Sequence, residues 1–204
     1  MDWTEGDFIG GHPVLDFLNT AAGRTKQRDV ERLVDFETFL KWSCVAGIVS
    51  ESEVNALTDR LHRDPTGAGT ALSDVCRFRE ALHGCLIAEQ AGSEWPEDAK
   101  ALVISNLRDC LAKAQLAKCA ASYEWSVSAC ETDLALPLTR LVLETEALLR
   151  SDDLARMRCC DRCSWLFIDR GRGPSRRWCS MAACGSRAKS ARYYQRKTGN
   201  GDER

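Results

Sequence analysis

The sequence predicts a mainly α fold: a helical N-terminal domain with a short strand or hairpin, then a small cysteine-bearing module ending in a basic helix. Three observations predict it. Apolar residues recur at helical spacing from about residue 35 to about residue 151, punctuated by capping and breaking signals. Five of the eleven cysteines fall between positions 159 and 184. The charge changes sign at the same place. Residues 1–155 carry 15 Lys and Arg against 26 Asp and Glu, a net of −11, whereas residues 156–199 carry 12 against 2, a net of +10. The chain has 204 residues and is 44% hydrophobic, enough for one helical core plus an appendage.

Gly10, Gly11 and Pro13 break the start, and residues 14–20 follow, apolar with embedded polar residues. A helix is expected over about 35–46, ended by Gly47. Ser50 and Glu53 form a capping box for a helix over 51–63. Asp64-Pro65-Thr66-Gly67 reads as a turn. Leu72, Val75, Leu82 and Leu86 mark the buried stripe of a helix ending near Gly92. Pro96 suits the first turn of the next helix, which turns Ala99, Val103, Leu107 and Ala114 inward. Tyr123, Trp125 and Val127 alternate with polar residues, as in a short strand. Pro137 opens a helix lined by Leu138, Leu141, Val142 and Leu148. Its end near Ser151 sets the expected division: 1–152 for the helical domain, 156–199 for the module, 200–204 for a tail.

No run of about eighteen apolar residues exists, so no membrane-spanning helix is expected. The acidic start lacks the basic-then-apolar pattern of a secretory signal, and a cytoplasmic location follows. In that reducing compartment the cysteines should not form a disulfide framework. Cys44, Cys76, Cys85, Cys110, Cys119 and Cys130 read as small buried hydrophobes.

The remaining cysteines are paired. Cys160 and Cys163 have C-x2-C spacing, and Cys179 and Cys184 have C-x4-C spacing fifteen residues further on. Each pair can offer two thiolates from a tight turn, and the segment between them can fold as a hairpin that brings the pairs together. Four thiolates close a tetrahedral site, which suits one structural Zn2+ with no open coordination position. An iron–sulfur cluster also takes four cysteines, and buried cysteines with no metal or a redox C-x2-C pair are the competing readings, against which the second cysteine pair and the many arginines favour metal. Cys159 rivals Cys160, but the two-residue gap makes Cys160 the better knuckle. Trp165 and Phe167 lie two apart and should form a small apolar core over the metal. Gly171, Gly173 and Pro174 are expected at the hairpin tip, among Arg170, Arg172, Arg176 and Arg177.

Beyond Cys184 the chain has helical character. Lys189, Arg192 and Arg196 share a face, Arg187 and Lys197 widen it, and no acid occurs between Asp169 and Asp202. Such a surface suits a nucleic acid. An acidic protein partner and a merely solvated face are the competing readings. Residue types alone do not separate DNA from RNA. The contacts expected are Arg176, Arg177, Arg187, Lys189, Arg192 and Arg196, on double-stranded DNA.

Cys163-Ser164-Trp165-Leu166-Phe167, Asp169-Arg170, Arg177-Trp178-Cys179-Ser180-Met181 and Cys184-Gly185 together resemble the CGNR zinc-finger family, with Ser186 where the family's name motif has Asn. The opening GGHPVLDFLNT resembles the start of the ABATE domain that commonly precedes that finger. The resemblance implies a helical N-terminal domain and a treble-clef-like zinc module. It also implies Cys160, Cys163, Cys179 and Cys184 as ligands, and a role in bacterial stress-related transcription regulation. Asp16 and Asn19 fall in the N-terminal motif. They line a ligand pocket if that domain senses a small-molecule effector; otherwise they cap a helix or pin a turn. The acidic domain is expected to sense such an effector or to form a homodimer. His12, His62 and His83 show no ligand or triad spacing, and no P-loop, dinucleotide fingerprint or nucleophile elbow is present, so no enzyme is expected.

Overall fold

The computed structural model describes residues 3–127, 133–173 and 175–199, and 58% of these described residues are helical. Cys130, Pro174 and the 200–204 tail lie outside the described residues.

Helix α1 (Pro13–Leu18) starts on His12, whose Nδ1 accepts from the Val14 amide at 3.2 Å. It is almost wholly interior: Val14, Leu15, Phe17 and Leu18 have no exposed surface. Strands β1 (Ala21–Ala22) and β2 (Val30–Glu31) then pair antiparallel around a basic loop. Helix α2 (Phe36–Val45) is capped by Asp35, which accepts from Thr38 N at 2.7 Å, and Gly47 closes it at φ +74°. Helix α3 (Glu51–Arg63) begins with the expected Ser50–Glu53 capping box.

The four residues expected as a turn hold only one turn residue. Asp64 closes α3 and also caps α4 (Pro65–Gln90), accepting from Gly67 N at 2.8 Å. Pro65 then sits in the first turn, where its missing N–H costs nothing. Helix α4 therefore reaches back well before Leu72. Its C-terminal end lies just before Gly92, as expected.

Helix α5 (Glu97–Leu111) stops short of Ala114, which packs against the core from the following loop. The strand expected around Tyr123 is β4 (Ser122–Ser126), paired with β3 (Gln115–Cys119) in a surface hairpin that leaves Tyr123 63% and Trp125 42% exposed. Cys119 is exposed on β3 and is not a core residue. Cys85 and Cys110 are buried, and Cys44 and Cys76 half-buried. Helices α6 (Leu136–Arg150) and α7 (Asp153–Arg156) lead into strands β5 (Met157–Cys159) and β6 (Leu166–Ile168), which pair antiparallel. A π-helical turn (Met181–Gly185) runs into α8 (Ser186–Gly199). Among the described residues no helix is long and apolar enough to cross a membrane.

At the centre of the core Phe39 and Trp42 stack, and Phe17 packs tilted against both rings. The same apolar cluster continues through α4 and α6 into Met157, Leu166 and Ile168. The hairpin that carries the first cysteine pair is thus built onto the helical domain. Polar contacts pin it there. Ile168 N–H donates to Gly10 O at 2.8 Å, and the His83 Nε2–H donates to Ser164 O at 3.1 Å. Gly10 must be glycine for this approach, because a Cβ would lie 2.8 Å from Asp16 Oδ1 and 2.9 Å from Leu15 Cβ.

Candidate metal centre

Strand β5 delivers Cys160 and the tight turn after it delivers Cys163. The Cys160 amide donates to Trp165 O at 2.9 Å and closes the knuckle. The hairpin is therefore β5–β6, with the knuckle at its tip. Gly171 and Gly173 lie instead in an irregular loop that follows β6. Asp169 ties both ends of that loop, accepting from Gly171 N at 3.1 Å and Arg176 N at 2.8 Å. The Asp161 amide donates to Arg177 O at 2.9 Å and brings the second pair beside the first. Cys179 precedes the π-helical turn and Cys184 lies within it, next to Gly185. A Cβ at Gly185 would meet the Met181 thioether at 3.0 Å and the Trp178 ring at 3.3 Å.

The four sulfurs of Cys160, Cys163, Cys179 and Cys184 lie within 4.8 Å of one another, and all four residues are buried. Cys163–Cys179 and Cys179–Cys184 are each 3.6 Å apart. Zn–S bonds of about 2.3 Å in a tetrahedron require S···S edges of about 3.8 Å. The donor set and its spacing therefore fit one Zn2+, held by four thiolates as a structural ion. Hydrogen bonds from Cys163 and Cys179 favour the Cys160 thiolate and pull its pKa down. Sharing that charge pushes Cys163 up to about 12 and raises Cys179 as well. Such a crowd of thiols needs a cation to deprotonate fully. Cys159 is half-buried on β5, outside the cluster, and burial raises its thiol pKa. Phe167 is fully buried against the four cysteines, with Trp165 and Trp178 packed around them.

The basic residues divide by what they touch. Arg187 Nη2 donates to Cys184 Sγ at 2.9 Å, so its guanidinium faces the metal site. Arg176 lies over the Phe167 ring at 4.0 Å. Arg177 pairs with Asp161 at 2.7 Å and lies over Trp178. Lys189, Arg192 and Arg196 are exposed on α8 and make no ion pair among the described residues. The same helix exposes Tyr193 and Tyr194, aromatic surface that the charge pattern did not single out.

Asp16 and Asn19 make backbone contacts. Asp16 Oδ1 accepts from the Gly10 amide at 2.7 Å, and burial pushes its pKa up to about 7 against that bond. Asn19 pairs with both backbone groups of Leu166, donating to its O at 2.9 Å and accepting from its N at 3.0 Å. The fully enclosed amide thus acts as a one-residue strand beside β6.

Sequence reasoning missed Arg24, Lys26 and Arg162. Lys26 Nζ donates to the Cys160 carbonyl, which docks the β1–β2 loop on the knuckle. A short basic run in an acidic domain was the available signal.

Comparison with curated proteins gives no match. Two family descriptions do match: "CGNR zinc finger" over residues 156–197, and ABATE, "Putative stress-induced transcription regulator", over residues 11–152. Neither describes an enzyme. With that order of matches and a four-cysteine site in the expected place, the chain belongs to the ABATE family and carries a C-terminal CGNR zinc finger.

Proposed function

We propose that this chain is a cytoplasmic transcription regulator that binds double-stranded DNA through its zinc-held C-terminal module. One observation carries the reading: Lys189, Arg192 and Arg196 form an exposed basic face on α8 with no ion pair among the described residues. An ordinary solvated helix mixes charges and pairs them. This one leaves its cations available to phosphates. Zinc sets the direction of α8, because Cys179 and Cys184 hold the turn from which the helix grows. Competition between duplex DNA, RNA and heparin for the zinc-loaded full chain tests the reading. Duplex DNA should outcompete the other two at equal charge. Equal displacement by heparin would reduce the surface to a general polyanion site.

A second reading concerns the effector. A cavity of about 410 Å³ lies between α4 and the knuckle, lined by Lys26, His83, Ile87, Cys159 and Ser164 among others. Its size suits a small ligand. Ser164 is 5% exposed, and its Oγ has no hydrogen-bond partner. Asp16 and Asn19 do not line it. An apolar molecule with an acceptor head would satisfy Ser164 and Lys26 together. Benzoate at millimolar concentration should raise the melting temperature, and Ile87→Glu should abolish the rise. No shift with the parent protein would set the effector site aside.

A further inference from the structure

We infer that the groove between the β1–β2 loop, the zinc knuckle and the first turns of α8 holds a phosphate group of the nucleic-acid backbone, so that the acidic helical domain supplies part of the contact surface. The inference rests on the nucleic-acid reading above and adds a second point of contact, away from the exposed α8 face.

Arg24, Arg162, Ser186 and Ser190 line this groove of about 760 Å³, and no carboxylate is among its lining residues. The cations come from distant parts of the chain. Arg24 is exposed on the β1–β2 loop and makes no ion pair among the described residues. Arg162 sits within the knuckle, between Cys160 and Cys163, and its Nε is buried without a hydrogen-bond partner. A buried guanidinium N–H left unpaired is costly, and Arg187 Nε, on the lining of the same groove, is unpaired in the same way; a phosphate in the groove would reward a turn of either side chain that brings its guanidinium to the anion. Ser186 and Ser190 stand one turn apart on α8 on the same wall; the Ser186 hydroxyl donates to Met181 O at 3.2 Å, so Ser190 is the one that adds a donor. Ala182 and Ala183 line the remainder, so no bulky side chain fills the space.

The groove is held in shape from both sides. Lys26 donates to the Cys160 carbonyl, and Arg28 Nη2 donates to Leu18 O at 2.8 Å while its Nε pairs with Glu80 at 2.7 Å. Arg24 therefore projects from a loop anchored on the knuckle and on the helical core. Arg187 also borders the groove, but its guanidinium is engaged by Cys184. Two arginines brought from distant parts of the chain to the lining of one acid-free groove suit a phosphate better than a general basic surface does.

The test is duplex binding by the zinc-loaded full chain carrying Arg24→Ala and Arg162→Ala, followed by anisotropy across a salt series. Each lost phosphate contact removes about 0.9 from the log–log salt slope. Loss of the one phosphate in the groove should flatten the slope of the double variant by about 0.9 and weaken binding about 10-fold at 0.1 M salt, with zinc content and circular dichroism unchanged. If Arg162→Ala fails to fold, Arg24→Glu alone carries the test, since Arg24 is exposed, and it should weaken binding and flatten the slope. Parent-like slope and affinity in a folded variant would overturn the inference. If Arg192→Ala with Arg196→Ala still weakened binding, the DNA reading would stand without the groove. If the parent bound no duplex, both would fall. Inorganic phosphate at matched ionic strength should displace duplex from the parent better than chloride does, and should lose that advantage in the double variant. No advantage over chloride with the parent would reduce the groove to a general basic surface and overturn the inference.

Discussion

Arg187 donates from Nη2 to Cys184 Sγ at 2.9 Å, one helical turn along the chain. Four thiolates around Zn2+ carry a net charge of −2, and a guanidinium hydrogen-bonded to one of them offsets part of it. Outer-shell partners of this kind are worth about 10–100-fold in metal affinity. Arg187→Ala should therefore lower zinc affinity by about that factor in a chelator competition, and Arg187→Lys should recover part of the loss. An unchanged zinc affinity would return Arg187 to the nucleic-acid surface.

The neighbouring cysteines make a paired control. Cys160 lies in the sulfur cluster and Cys159 does not. Elemental analysis should find one zinc per chain in the parent and in Cys159→Ser. Cys160→Ser should lose most of it. The reverse outcome would exchange the two roles.

Asn19 joins the start of the chain to the zinc hairpin. Its amide satisfies both backbone groups of Leu166 in a buried setting. Leaving each such group unpaired costs about 1–3 kcal/mol, so Asn19→Ala should cost about 2–6 kcal/mol in total. Hydrogen exchange at the Leu166 amide should accelerate together with the drop in melting temperature. Slow exchange at that amide in the variant would mean that β6 finds another partner.

Asp16 sets a pH dependence. Burial raises its pKa from the usual 3.8 to about 7. Between those values the folded chain keeps a proton that the unfolded chain has lost. The group's contribution is therefore complete below about pH 4 and is lost as pH rises through about 7. Asn at this position keeps the acceptor for Gly10 and never ionises. The melting temperature of Asp16→Asn relative to the parent should rise from pH 5 to pH 8. A difference that does not change with pH would mean that Asp16 ionises normally in the fold.

What the sequence made legible was local. Asp35, the Ser50–Glu53 box, Gly47 and Gly92 end helices through side chains and dihedrals only a few residues away. The cysteine spacing picked out the four residues whose sulfurs cluster because each pair closes its own turn. The Asp64–Pro65 joint was misread because a single Asp can close one helix and cap the next, and Thr66, Gly67 and Gly69 are poor helix formers that packing overrides. The hairpin was placed one segment too late because Gly171 and Gly173 look like a tip. The pairing that wins joins β5 to β6 across the knuckle. The contact of Asn19 with Leu166 spans 147 positions, and that of Lys26 with Cys160 spans 134. No local pattern encodes either, and both tie the zinc hairpin to the N-terminal part of the chain.

The central claim is that the basic face of α8 contacts DNA. The most direct measurement is the salt dependence of duplex affinity for the zinc-loaded full chain, beside Arg192→Ala with Arg196→Ala. Both arginines are exposed, so the variant should fold and hold zinc as the parent does. The variant should bind every duplex sequence more weakly, with a log–log slope flatter by about 2. A variant that keeps the parent's affinity and slope would show that this helix face is not the contact surface.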